Sequence, residues 1–119
     1  MKFILLVHHD ETAFETFSDE RKRSLLSESI GLCHQLDAQG QYVHASPVHP
    51  AASATLVRVR DGKPIVTDGP FIETREQMAG YFLIDAKDRE EAVAIAARVP
   101  GATIGTVEVR PVRQVAGLP

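Results

Sequence analysis

Five apolar residues in a row, Phe3 to Val7, stand near the start of the chain between polar neighbours. A run this short, with no helical period, predicts a strand buried on both faces. Phe3, Leu5, Val7 and His9 would point one way, and Ile4, Leu6 and His8 the other. The period then changes. Leu25, Leu26, Ile30, Leu32, Cys33 and Leu36 recur at spacings of three, four and seven, which makes one apolar helix face. Ser18 is the natural cap, Asp19 and Glu20 complement the positive helix end, and Gly40 is the stop. The pattern predicts a helix from Ser18 to about Ala38. Tyr42 to Val48 reads as a second strand ending near Pro47, and a loop follows through Pro50 to Ala54.

Thr55–Val59 and Ile65–Thr67 are rich in β-branched residues and flank Asp61-Gly62, a strong hairpin signal. A two-residue Asp61-Gly62 loop would set Arg60 against Lys63. A three-residue loop avoids that and pairs Val57 with Ile65, so it is the expected register. Asp68-Gly69-Pro70-Phe71 cannot continue a central strand and must bend. Glu73 to Gln77 is polar, a loop or a single helical turn. Ala79 to Asp85 is a third buried strand. Asp88 and Glu91 resemble a capping box, with Ala92, Val93, Ile95, Ala96 and Val99 as the core face of a second helix. Pro100-Gly101 ends it, and Thr106 to Arg110 alternates as a fourth strand.

The order is β-α-β, a hairpin insertion over residues 55–67, then β-α-β. This is the α+β, ferredoxin-like arrangement, in one domain over residues 1–119. Helices cover one sheet face. The other is also apolar and wants a partner, most simply a second copy packed sheet to sheet. Composition narrows the class further. With 44% hydrophobic and 24% charged residues the chain is globular rather than disordered. A net charge of −3 leaves no electrostatic footprint for nucleic acid or an anionic membrane. The single Cys33 excludes an internal disulfide framework and suits a reducing compartment. The opening apolar run is too short to span a bilayer, so a cytoplasmic location is expected.

Asp68-Gly69-Pro70-Phe71 is followed by Glu73-Thr74-Arg75-Glu76-Gln77 and Gly80-Tyr81-Phe82-Leu83-Ile84-Asp85. Together these resemble the signature of the YCII-related, DGPF-domain proteins, and the resemblance spans essentially the whole chain. It implies a dimeric α+β barrel and kinship with small barrel enzymes such as muconolactone isomerase and related dehalogenases. Some members are encoded beside extracytoplasmic-function sigma factors, which implies a regulatory setting. One departure is visible. YCII proteins proper carry a histidine in the first helix, and Ser29 stands at that position here. His34, five residues on, faces another direction.

Asp68 is the leading candidate for chemistry. A carboxylate at a strand end beside apolar Phe71 can transfer protons if its pKa rises, or it can simply cap the bend. Glu73 can pair with it as a second acid or stay solvated. Arg75 can neutralise Glu73 or clamp a ligand carboxylate. Phe71 is an anchor or a ligand platform. His9, at the end of the first strand, and His44 nearby titrate near neutral pH, or serve as structural histidines. His8 and His9 point to opposite faces, so they cannot share a metal ion, and neither a metal nor a cofactor is expected. Cys33 falls on the apolar helix face and reads as inert. Three functions remain open. One is acid/base chemistry of an isomerase or lyase type on a small organic molecule, with Asp68, Glu73 and His9 catalytic and Phe71, Arg75 and His44 binding. Another is a non-catalytic ligand-binding or regulatory role. The third is a structural dimer module with no ligand. A cavity holding Asp68 and a second titratable group favours the first; an apolar cavity without such a pair favours the second; the absence of a cavity would favour the third.

Overall fold

A computed structural model describes residues 1–119. The fold is α+β, with β1 (Lys2–His9), α1 (Glu11–Glu15), α2 (Asp19–Ala38), β2 (Tyr42–Pro47), β3 (Thr55–Arg60), β4 (Lys63–Asp68), β5 (Gln77–Asp85), α3 (Arg89–Arg98) and β6 (Gly105–Pro111) in chain order. Four strands form one antiparallel sheet in the order β2-β5-β1-β6, and β3 and β4 form a separate two-stranded ribbon. No helix is long and apolar enough to cross a membrane.

The core lies between α2, α3 and one sheet face. Phe3, Leu5 and Val7 of β1 and Phe82 and Ile84 of β5 meet Leu32 and Leu36 of α2 and Ala92, Ile95 and Ala96 of α3. Ile4, Leu6, Tyr81 and Leu83 alternate to the other face, where they are only half-buried. The molecule is 20 Å deep in its thinnest direction. That is one helix layer on one sheet, each about 10 Å thick, so the second sheet face is bare. The apolar run of β1 therefore has a structural cause on one side only.

Each long helix is capped as its sequence requires. Ser18 Oγ accepts from the Arg21 amide at 3.1 Å, and Asp88 Oδ1 accepts from the Glu91 amide at 2.9 Å. The capping box is not closed in the usual way. Glu91 Oε1 accepts from the Lys87 amide at 3.1 Å and from Gln41 Nε2 at 2.8 Å, so the carboxylate ties the start of α3 to the turn after α2. Gln41 is also held through its backbone. Its amide donates to the Leu36 carbonyl, and its carbonyl accepts from the Asp85 amide, both at 2.8 Å.

Several expectations are corrected. The hairpin uses the two-residue loop, pairing Arg60 with Lys63 and Val57 with Val66. Asp61 and Gly62 both have positive φ, 51° and 73°, as the turn that follows strand twist demands. The like charges at its mouth are exposed, where water screens them, so the turn geometry decides the register. Val93 does not join the core but faces solvent. The short α1 was not foreseen; Asp10 caps it by accepting from the Ala13 amide at 3.1 Å.

The ribbon projects from the body. Apart from Leu56, every residue from Thr55 to Asp68 is exposed. The radius of gyration is 16.2 Å, against about 13.5 Å for a compact chain of this length.

Candidate functional site

The apolar stripe of α2 is longer than its contact with the sheet. Leu32 and Leu36, in its second half, are buried, whereas Leu26 and Ile30, in its first half, are each 50% exposed. Between that first half and the sheet lies an open cavity of about 240 Å³. Leu25, Leu26, Ser29, Ile30 and Cys33 of α2 form one wall. Val7 and Phe82 of the sheet, with Pro47 at the end of β2, form the opposite wall. Val99, Pro100, Gly101 and Ile104, and also His9, Phe14 and Lys22, complete the lining.

The polar groups in this apolar wall are few and defined. Ser29 Oγ donates to the Leu25 carbonyl at 2.9 Å, a bond within its own helix. Burial pushes the Cys33 thiol above its ordinary pKa, so it is protonated and slow to react at neutral pH. The His9 ring stacks on Phe14, with centroids 4.6 Å apart. Burial lowers the His9 pKa, against the opposing pull of Glu11, Asp10 and Glu76. At pH 7 His9 is therefore a neutral imidazole, able to donate from one nitrogen and accept at the other. Lys22 Nζ lies 5.3 Å from the Phe14 ring centroid and 3.6 Å from a Glu15 carboxylate oxygen.

The other predicted site residues lie elsewhere. Asp68 is exposed at the foot of the ribbon. The amide of Gly69 donates to the Ala54 carbonyl at 2.8 Å, so backbone pairing fastens the bend. Phe71 is 70% exposed, with the Arg58 guanidinium 5.8 Å from its ring centroid. Glu73 is exposed. Arg75 pairs with Asp10 at 3.3 Å, not with Glu73. Gln77 Nε2 fastens the polar segment by donating to the carbonyls of Ile72 and Thr74. His44 is on the bare sheet face, its Nδ1 2.7 Å from the Tyr81 hydroxyl. His8 is on that face too, with Nε2 3.6 Å from Glu108, which Arg110 also engages. His8 and His9 thus part company as strand alternation requires. No group of three His, Cys, Asp or Glu side chains is placed to hold a metal ion. Of the six predicted site residues, only His9 lines the cavity. Phe14, Ser29 and Cys33 were not among them, although Ser29 and Cys33 sit at the helical spacing that marks the apolar face.

The sequence profile of the YCII-related domain matches residues 1–116. The chain belongs to the YCII-related domain family. An uncharacterised protein of Rhizobium meliloti (strain 1021) is 30% identical over 113 residues, covering 93% of this chain and 91% of that relative. Within this YCII-related chain, Ser29 stands where the family resemblance leads one to expect a helix histidine. That position is in the cavity wall, so the wall here offers a hydroxyl, already engaged with Leu25, in place of an imidazole. His34 is exposed and cannot substitute for it.

Proposed function

We propose that this protein binds a small, largely apolar organic molecule in the cavity between α2 and the sheet. The observation that carries the reading is that Leu25, Leu26 and Ile30 turn an apolar stripe toward open space instead of toward the sheet. Covering such side chains releases roughly 25 cal/mol for each Å² taken from water. Few polar groups within an apolar lining is the usual form of a ligand pocket. An engineered protein cavity of roughly 150 Å³ holds benzene, so this one suits a somewhat larger molecule.

Asp68 and Glu73 do not line this cavity, which favours binding over acid/base catalysis by that pair. His9 supports a second reading. It is neutral at the cavity mouth and positioned to take a proton from a bound ligand, the first step of an isomerase-type reaction. Asp68, Glu73, Phe71 and Arg75 enter a ligand site only if a second copy brings them to a cavity. The proposed assembly is a homodimer of ferredoxin-like protomers with their bare sheet faces together, forming an α+β barrel. The strand order β2-β5-β1-β6 and the half-buried Ile4, Leu6 and Leu83 support it.

Cys33 reports on the cavity directly. A panel of aromatic and aliphatic acids, phenols and lactones is to be tested for slowing Cys33 alkylation by iodoacetamide and for raising the melting temperature. At least one compound should do both, and Ser29→Phe, which fills the space, should abolish both effects while leaving the fold intact. If no compound protects Cys33, or protection survives in Ser29→Phe, the cavity is not the binding site. Turnover of a bound lactone that is lost in His9→Gln would establish the second reading.

A further inference from the structure

Arg21, Lys22 and Arg23 are consecutive cations in the opening of α2. Arg21 and Arg23 are exposed, whereas Lys22 is turned inward, with 28% of its side chain exposed. The helical period explains the difference. Lys22, Leu26, Ser29 and Cys33 follow one another at spacings of four, three and four, so Lys22 extends the cavity stripe by one turn. Among the residues that line the cavity, Lys22 carries the only formal charge. Its ammonium is placed against α1: Nζ lies 5.3 Å from the Phe14 ring centroid, and His9 stacks on that same ring. A cation in the opening turn of a helix opposes the dipole, so an anion that meets Lys22 there is favoured by both.

We propose that the cavity ligand is a monocarboxylate, its apolar body along Leu25, Leu26 and Ile30 and its carboxylate accepting from Lys22 Nζ. The inference rests on the binding function proposed above and names the chemical class that the site selects.

The neighbouring acids set the charge. Lys22 pairs at 3.6 Å with Glu15, whose side chain is 71% exposed. An ion pair so open to water contributes little. A carboxylate presented from the apolar cavity is less screened and is the stronger partner. Asp10 already accepts from the Ala13 amide and pairs with Arg75, and Glu11 accepts from the Ala51 amide at 2.8 Å. Neither these acids nor Glu15 and Glu76 line the cavity, but Glu11, Asp10 and Glu76 are near enough to act on the charge of His9. They repel a second negative charge on the ligand, such as a phosphate monoester carries at neutral pH. A cationic ligand would meet Lys22 inside the cavity. His9, a neutral ring, adds an N–H donor without adding charge.

The test uses the full-length chain at neutral pH and reads protection of Cys33 from iodoacetamide. The probes are phenylacetate, phenylpropanoate, phenylbutanoate and octanoate, each beside its neutral amide, with phenyl phosphate and phenylethylamine as the dianion and the cation. A carboxylate loses more hydration than an amide on entering an apolar site, so without a counter-ion the amide binds tighter. With Lys22 as counter-ion, the tightest acid should bind about tenfold tighter than its amide, the size of a charge-assisted hydrogen bond. Lys22→Met keeps the apolar stem and should weaken that acid about tenfold while leaving its amide within about twofold. Lys22→Arg should keep the preference for the acid. The wild-type ratio needs no variant, so it decides the question even where a substitution disturbs α2. An amide that protects Cys33 as well as its acid, a preference for the acid that survives Lys22→Met, or tighter binding of phenyl phosphate or phenylethylamine overturns the proposal and leaves the cavity a binding site for another class. If neither acids nor amides protect Cys33, the cavity reading fails and this inference with it.

Discussion

The two halves of α2 share one sequence pattern and meet different fates. In the second half, Leu32 and Leu36 press on Phe3, Leu5 and Ile84 and are buried. In the first half, Leu25, Leu26 and Ile30 continue the same stripe, but the sheet stands back from them. Apolar spacing says which way a helix face looks. It does not say how far away the opposing surface lies. The packed half builds the core; the unpacked half lines a cavity.

The largest expected difference is in stability. Leu36→Ala should cost about 2–5 kcal/mol, the usual range for a fully buried leucine. Leu26→Ala should cost less than about 1 kcal/mol, because half of that side chain is already in water. Urea unfolding of the two variants measures the gap, and equal losses would mean that the halves are packed alike. A saturating cavity ligand should sharpen the contrast by making Leu26→Ala the more damaging change for affinity. Cap removal is the next effect in size. Ser18→Ala at the open end and Asp88→Ala beside the packed end should each cost about 1 kcal/mol in thermal melts. Ser18→Ala should additionally weaken ligand binding, because it loosens the turn that carries Lys22 and Leu25.

The smallest effect is a pH dependence. His9 has a folded-state pKa below its ordinary 6.5, chiefly through burial. Below pH 6.5 the unfolded chain binds the proton more readily than the folded one. The stability that His9 confers as a neutral ring is therefore complete above pH 6.5 and is lost as the pH falls toward its folded value. His9→Asn should flatten the pH dependence of the melting temperature over that range. An unchanged slope would mean that another group carries it.

The main elements were legible because each has its own period and punctuation. The cap at Ser18, the stop at Gly40, the second cap at Asp88 and the four sheet strands all follow local rules that tertiary packing did not override. The hairpin register departs from expectation because turn geometry outweighs the exposed Arg60–Lys63 pairing, whose repulsion water makes cheap. Val93 faces solvent because α3 buries a narrower stripe than its sequence offers. The cavity was the least legible part. Asp68 and Phe71 drew attention through their motif, yet they lie at the foot of an exposed ribbon. A void has no residue of its own. Ser29 and Cys33 border the cavity only because α2 and the sheet diverge, and that separation is decided by elements far apart in the chain.

The Glu91 carboxylate has one further consequence, for the order in which the protein comes apart. By holding both the Lys87 amide and Gln41, it joins the start of α3 to the turn after α2, and the Gln41 backbone joins that turn to β5. Fluctuations that open one of these segments must disturb the others, so they should behave as one cooperative unit. The cavity end of α2 is tied to α1 through the Lys22–Glu15 pair, whose carboxylate is largely exposed, and Lys22 over Phe14, not through a carboxylate bridging backbone amides. Under native conditions the amides of Glu91 and Asp85 should therefore share a slow exchange rate, while those of residues 19–26 exchange earlier. The molecule would breathe at the cavity end of α2 and stay closed at the other.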